Sequence, residues 1–192
     1  MKRVLDVGSS NVPLTADRFA GWQRVTIDMD EEAEPDVVGD VRELEQLCAY
    51  HRFNAVYASH FLEHLFPWEV VNVLRQFASV LAPDGWVEVW VPDVMQAMAY
   101  ALEHSISLSD TLYEANNGAR VTLLDMLYGW EREVRKGKPG FAHQTAFDWP
   151  LLEERLREAG YPYVQPVDRG NAFEIGYCAW FGRKPGWLEN GR

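Results

Sequence analysis

Apolar and polar positions fall along this chain in blocks. Lys2-Arg3-Val4-Leu5-Asp6-Val7-Gly8 is a short apolar run that stops on glycine, and Arg24-Val25-Thr26-Ile27-Asp28 is a second run that stops on a carboxylate. Runs of this kind, apolar and β-branched without strict polar alternation, predict parallel strands buried on both faces. A glycine at the carboxyl end of such a strand lets the backbone come close to a ligand. An acid at the tip of the next strand is placed for the two hydroxyls of a nucleotide ribose. The opening stretch therefore predicts half of a nucleotide-binding fold, with its ligand above Gly8 and Asp28.

The later blocks extend this sheet. Pro35-Asp36-Val37-Val38-Gly39-Asp40 predicts a short strand ending on another acid, Phe53–Ser59 a longer one that delivers Ser59 and His60 to the same edge, and Trp86–Val91 a further one. In the first loop, Asn11 suits a left-handed backbone, and Pro13 leaves room only for a brief helix around Thr15–Phe19. Helical spacing predicts Arg42–His51, with Leu44 and Leu47 inward, and a second helix after Pro67 carrying Val70, Val71, Leu74, Phe77 and Leu81 on its core face. Pro83-Asp84-Gly85 is a turn.

From residue 94 to 147 the pattern changes to helical segments, Val94–His104 and Val121–Lys136. The stretch is too long for a simple connection and predicts an insertion covering the site. Asp148 and Pro150 open another helix that ends at Gly160. Tyr161–Val167 and Phe173–Phe181 then predict two antiparallel strands joined by the Asp168–Asn171 turn, and residues 185 to 192 a loose tail.

At 192 residues the chain is one domain's worth. A chain of that size buries roughly 70% of its unfolded surface, enough for a full core. Its 18 basic and 29 acidic side chains leave a net charge of -11, which repels phosphate backbones and anionic lipid and argues against nucleic-acid or membrane partners. Cys48 and Cys178 lie far apart, form no metal-ligand pattern and are expected as core thiols. No run has the length of a membrane span and residues 1–7 carry no signal-peptide core, so a cytoplasmic protein is expected. The tryptophan content points to self-association.

Three histidines are candidates for acid–base work, because imidazole titrates near neutrality: His60, His64 and His143. His60-Phe61-Leu62-Glu63-His64 also matches the His-x-x-Glu-His signature of inverted zinc peptidases. That site needs a further ligand from another segment, and the length and strand order argue for a different fold, so no metal is expected. Glu63 and His64 are expected to begin the helix that follows the fourth strand. Trp68, Tyr113, Tyr128, Trp130 and Trp149 are the aromatics expected near the insertion, and His51 and His104 fall at helix ends with no chemistry assigned.

With its elements in this order, the chain resembles the class I S-adenosylmethionine (SAM)-dependent methyltransferases, and among them a small bacterial group of predicted SAM-dependent methyltransferases. The resemblance is carried by Leu5-Asp6-Val7-Gly8-Ser9-Ser10, Gly21-Trp22 before Val25-Thr26-Ile27-Asp28, Asp36-Val37-Val38-Gly39-Asp40, Ser59-His60-Phe61-Leu62-Glu63-His64-Leu65 and Leu81-Ala82-Pro83-Asp84-Gly85. It covers residues 1 to about 93 and, loosely, the C-terminal hairpin. It implies a single Rossmann-like α/β domain over residues 1–192: a seven-stranded, mostly parallel sheet with helices on both faces, an antiparallel C-terminal hairpin, and 94–147 as a helical insertion or lid after the fifth strand.

The resemblance also implies SAM as cofactor and S-adenosylhomocysteine (SAH) as product. Gly8 and Ser9 would pass their backbone to the amino-acid end of the cofactor, Asp28 and Met29 would take the ribose, Asp40 and Val41 would face the adenine, and Asp6, Ser59 and His60 would line the methionine part. The related group tends to carry a Tyr-Gly pair followed by a histidine, here Tyr128-Gly129 and His143, which makes His143 the foremost base ahead of His60 and His64. A small-molecule or glycan-linked acceptor is implied. The rival readings are a non-catalytic SAM- or SAH-binding module, an NAD-dependent oxidoreductase whose pyrophosphate glycines Ser9, Ser10 and Asn11 replace, and a zinc hydrolase.

Overall fold

Side chains alternate across a strand, so each buried run feeds two faces of one sheet. In the computed structural model, which describes residues 1–9, 12–48, 52–115 and 118–189, seven runs join this sheet. β1 (Arg3–Val7) pairs in parallel with β2 (Gln23–Asp28) and with β4 (Phe53–Ser59); β2 also pairs with β3 (Val37–Val38), and β4 with β5 (Leu81–Pro92). β8 (Tyr163–Val167) and β9 (Glu174–Trp180) close the far side as an antiparallel pair, giving the order β3-β2-β1-β4-β5-β9-β8. This is the seven-stranded, mostly parallel sheet with an antiparallel C-terminal hairpin that the sequence implies.

Leu5, Val7, Val56, Val87, Val89 and Ile175 face one side of the sheet. Helices α1 (Leu44–Leu47), α2 (Val70–Val80) and α6 (Trp149–Glu158) cover them, through Leu44, Val73, Leu74, Phe77, Leu152 and Leu156 among others. Asp148 caps α6 by accepting the N–H of Leu151 at 2.9 Å. Tyr161 is fully buried in this layer, and its hydroxyl donates to the carbonyl of Leu74 at 3.0 Å.

The other face carries Val4, Ala55, Tyr57, Trp86, Trp90 and Trp180. It is covered by Phe19, from a 3-10 turn at Asp17–Phe19, by Trp22 just ahead of β2, and by Trp187 and Leu188 of α7 (Gly186–Glu189). Glu88, wholly buried between the two tryptophans of β5, is neutralised by the Arg18 guanidinium and accepts the Trp90 indole N–H at 2.7 Å. Residues 185–189 are thus packed against the sheet rather than loose. Of the tryptophans, only Trp68 and Trp149 are exposed.

Several elements differ from expectation. The helix expected at Arg42–His51 is a 3-10 turn over Val41–Glu43 followed by the one turn of α1, and Leu47 is exposed while Leu44 is buried. The expected helix at Val121–Lys136 is broken. A capping box between Thr122 and Asp125 starts α4 (Leu123–Tyr128), Gly129 at φ +86° stops it, and a separate turn α5 (Glu131–Val134) follows. The insertion also contains α3 (Val94–Glu103) and a small antiparallel hairpin, β6 (Thr111–Glu114) with β7 (Arg120–Thr122). Together these enclose their own core of Ala97, Ala101, Leu112, Val121, Leu123, Met126 and Phe173. β5 begins earlier than expected because Leu81 pairs with Phe53 and the Pro83-Asp84-Gly85 turn bulges out before Trp86 pairs with Ala55. The expectations for Asn11, for His51 and for residues 190–192 lie outside the described residues.

No helix among the described residues is long and apolar enough to cross a membrane. For the packing, Tyr161→Phe is expected to cost about 1 kcal/mol, the net worth of one buried hydrogen bond, and Leu74→Ala about 2–5 kcal/mol. Urea unfolding of both variants measures this, and a larger loss for the phenylalanine variant than for the alanine variant contradicts it.

Candidate functional site

The connection after β1 runs to β2 and the connection after β4 runs to β5, on opposite sides of the β1–β4 pair. The carboxyl ends of β1 and β4 therefore bound a crevice at the switch point, the position at which open α/β sheets bind their ligands. Gly8 ends β1 at φ +64°, and its N–H donates to Ile27 at 2.9 Å. A Cβ at position 8 would stand 2.7 Å from the Phe61 ring, so geometry and space both require glycine. The next residue, Ser9, accepts the N–H of Val12 at 2.7 Å through its carbonyl.

Asp28 ends β2 beside Gly8, half-buried, with one carboxylate oxygen accepting the N–H of Asp30 at 2.9 Å and no hydrogen bond to the other among the described residues. Met29 follows, largely exposed. Asp40 caps the turn after β3 and is held by Arg42 in a close ion pair, which keeps its carboxyl below the usual range. Val41 is buried in the main core, so its side chain is committed to packing. Asp6, nearly buried, is bound by Arg24 at 2.7 Å, and the same guanidinium reaches the carbonyl of Val12 at 2.5 Å. Asp6 thereby anchors the loop that follows Gly8.

At the end of β4, His60 adopts φ +53°, a left-handed conformation that costs a non-glycine residue of order 1–3 kcal/mol. It is held there by Glu174 at 2.7 Å. Arg169 clasps Glu174 with two contacts of 2.6 Å, donates to Tyr57 at 2.8 Å and to Ser59 at 3.1 Å, and lies over the Trp90 ring at 4.5 Å. Burial lowers the His60 pKa, but the Glu174 and Glu63 carboxylates outweigh it and lift it to about 9. Burial likewise raises Glu174, and His60 and Arg169 outweigh it to leave about 2. His60 is therefore a cation at neutral pH and has no lone pair for a general base.

Sequence reasoning missed Arg169 and Glu174. The signal was present: β9 runs antiparallel to β5, with Glu174 opposite Pro92, so the Asp168–Asn171 turn must return to the same edge as Ser59.

Glu63 and His64 lie not at the start of a long helix but in a 3-10 turn, Leu62–His64. The chain extends again at Leu65, and α2 begins only at Val70, after Pro67. The resulting turn meets the end of the insertion. The N–H groups of Gln144 and Thr145 donate to the Glu63 carbonyl at 2.8 and 3.2 Å, and His64 Nδ1 contacts the Ala142 carbonyl at 3.1 Å. The His64 and His143 rings meet edge to face with centroids 5.0 Å apart. The Tyr128-Gly129 pair is in register with this segment, since His143 N–H donates to Tyr128 at 3.1 Å and Gly129 bridges Ala142. Burial lowers the His143 pKa.

At the other end of this strap, Lys138 pairs with Asp30 and Glu32 at 2.9 Å each. Residues 138–145 thus link the loops after β2 and β4, which flank β1. Of the aromatics, Tyr113 packs on Phe173, Trp149 on Tyr177, Trp68 stacks on Phe66 at the surface, Arg132 lies over Trp130, and Tyr128 is exposed. A cleft of about 460 Å³ opens beside Glu174, lined among others by Asp93, Gln96, Trp149 and Asp168.

The sequence matches the family model of a methyltransferase domain over residues 1–165. No curated protein sequence matches it. Among solved structures, a SAM-dependent methyltransferase from Archaeoglobus fulgidus is 15% identical with a TM-score of 0.59, the match covering 93% of this chain and 85% of that one. One from Clostridium acetobutylicum is 10% identical at 0.59, covering 95% and 85%. The 1,6-didemethyltoxoflavin-N1-methyltransferase of Burkholderia thailandensis, solved with its substrate and SAH, is 18% identical at 0.50, covering 94% and 71%. Other similar structures are about twice as long, this chain spanning 52%, 51% and 50% of three of them. At these identities the likeness is one of fold.

Burial pushes the Asp6 carboxyl up to about 6, Arg24 offsetting it only in part. A folded pKa above the ordinary value favours the protonated form, so this contribution is full below about pH 4 and is lost as pH rises through 6. Relative to Asp6→Asn, the wild type is expected to lose up to about 3 kcal/mol of unfolding free energy between about pH 4 and 7. A pH series of urea melts measures it, and a difference between the two proteins that stays constant over that range contradicts it.

Proposed function

From the premise that this chain belongs to the methyltransferase-domain family, we propose that it transfers a methyl group from S-adenosylmethionine to a small-molecule or glycan-linked acceptor. The observation that carries this reading is the pairing of Gly8 and Asp28 at the switch-point edge, a close-approach backbone beside a carboxylate with a free oxygen. These groups fit an adenosyl cofactor. Asp28 would accept from the ribose hydroxyls, with Met29 beside it, and Gly8 and Ser9 offer backbone to the amino-acid end.

Ser59 and His60 stand where the methionine portion would lie, fixed by Arg169 and Glu174. Asp6 acts through the loop it anchors. Asp40 would reach the adenine only by sharing its carboxylate with Arg42, and Val41 would offer only backbone. Among its described residues the connection after β1 holds a single 3-10 turn in place of a long helix and offers a pyrophosphate no helix N-terminus, which disfavours the NAD reading.

Bound SAM supplies a methyl group already activated on a sulfonium, so the chain's task is largely orientation, which is worth on the order of 7–11 kcal/mol of a barrier. The strap 138–145 and the rest of the 94–147 insertion exclude water from the acceptor side. His64 and His143 stand on that side, each with its Nδ1 on a main-chain carbonyl, so that the neutral form of either ring keeps its Nε2 lone pair for the acceptor. The Burkholderia protein is solved with bound 1,6-didemethyltoxoflavin, a small molecule, which supports the small-molecule choice.

Calorimetric titration tests the reading. SAM and SAH are expected to bind saturably and NADH not at all, and Asp28→Ala is expected to weaken both adenosyl ligands about tenfold or more, the worth of a charge-assisted hydrogen bond. If neither adenosyl ligand binds the wild type, the cofactor assignment fails.

A further inference from the structure

Among the described residues, one buried carboxylate accepts no hydrogen bond at either oxygen. The Glu63 side chain is 1% exposed, and neither carboxylate oxygen takes part in a hydrogen bond. Its nearest cation is His60 Nδ1, at 3.4 Å and outside hydrogen-bond geometry, while His60 Nε2 is committed to Glu174. The long ion pair with His60 leaves both oxygens of this buried carboxylate without a hydrogen bond and open to a further ligand, and buried carboxylates are held by pairing or by metal coordination.

Beside it lie His64 and His143, and one ligand atom from each of the three residues falls within 4.8 Å of the others. Main-chain carbonyls only accept, so the contacts of His64 Nδ1 with Ala142 at 3.1 Å and of His143 Nδ1 with Met126 at 3.0 Å place the proton on Nδ1 in both rings. In the neutral ring each Nε2 then carries the lone pair that a metal ion takes. Orientation of a ligating histidine by a carbonyl on its second nitrogen is the usual outer support of a metal site.

We propose that Glu63, His64 and His143 hold a divalent first-row transition metal ion, with zinc the ion their chemistry suits. Two neutral imidazoles and one carboxylate form the three-ligand set of open zinc centres, whereas magnesium and calcium select oxygen alone. Around such an ion the ligand atoms stand about 3.3 Å apart, so the side chains draw in from their metal-free spacing. Glu63 is buried and both imidazoles are half-buried, which leaves the ion reachable from solvent with a position for an exogenous oxygen.

The ligands come from two segments: the turn after β4 supplies Glu63 and His64, and the insertion's exit supplies His143. The ion therefore pins the strap to the sheet. The sequence motif His60-x-x-Glu63-His64 is used here with Glu63 as a ligand and the third ligand supplied from the insertion. The lone pairs that would otherwise serve as bases are spent on the ion, which takes over the work of lowering the pKa of an acceptor hydroxyl bound to it. That use rests on the methyl-transfer reading, whereas the binding of the ion does not.

The test is titration of zinc chloride into EDTA-treated, dialysed full-length protein, with cobalt chloride for its visible spectrum. Glu63→Gln, His64→Gln and His143→Gln are compared with the wild type, and SAH binding is measured on every sample. One zinc per chain is expected, weakened at least 100-fold in the variants, with a cobalt absorption band in the wild type that the variants lose and with zinc raising the melting temperature of the wild type alone. Should Glu63→Gln not fold, His143→Gln, altered at a half-exposed ring, decides the matter. Absence of stoichiometric zinc, or zinc bound equally well by the histidine variants, overturns the site. Zinc binding without SAH binding upholds the site and removes the cofactor reading instead.

Discussion

The divergence of the chain on either side of the β1–β4 pair is the constraint from which the rest of the site follows. Two parallel strands that are neighbours in space but send their connections in opposite directions cannot close the gap at their carboxyl ends. Gly8 and the Ser59-His60 pair stand on the two sides of that gap, and Asp28 stands one strand away. The two-sided burial of β1 and β4 holds the gap open: Leu5, Val7 and Val56 are locked under α2 on one face, while Val4, Ala55 and Tyr57 are locked among aromatics on the other.

The polar groups at this edge are arranged in two tiers. Arg169 ties the end of β4 to the start of β9 through Tyr57, Ser59 and Glu174, and its charge keeps Glu174 ionised against burial. Glu174 in turn holds His60 in its left-handed backbone and as a cation. The second tier is the strap from Lys138 to Thr145, fastened by an ion pair to the β2 loop and by main-chain bonds to Glu63. It connects the insertion to the edge that carries Asp28 and brings His143 to His64 from a distant part of the chain.

The strands were legible because two-sided burial leaves an unbroken apolar signature, and Phe53–Ser59 is found at the expected residues. The placement of Gly8 and Asp28 was legible because both stand at strand ends. The turn at Leu62–His64 was not: Glu63 and His64 read as the first turn of α2, whereas Leu65 reverts to extended backbone ahead of Pro67. The hairpin of β6 and β7 was missed because its strands are short and bury only Leu112 and Val121. Arg169 and the convergence of His143 on Glu63 depend on contacts between distant segments, which local spacing does not encode. At Asp40 and Val41 the sequence did not show the local partners, the Arg42 guanidinium and the main core.

The central claim is that the edge formed by Gly8 and Asp28 is an adenosyl site, and a crystal structure of the protein with SAH tests it most directly. The account predicts the ribose hydroxyls on the Asp28 carboxylate and the amino-acid end against the backbone of Gly8 and Ser9, beneath the strap. An adenosyl group seated elsewhere, with Asp28 facing solvent, would contradict it.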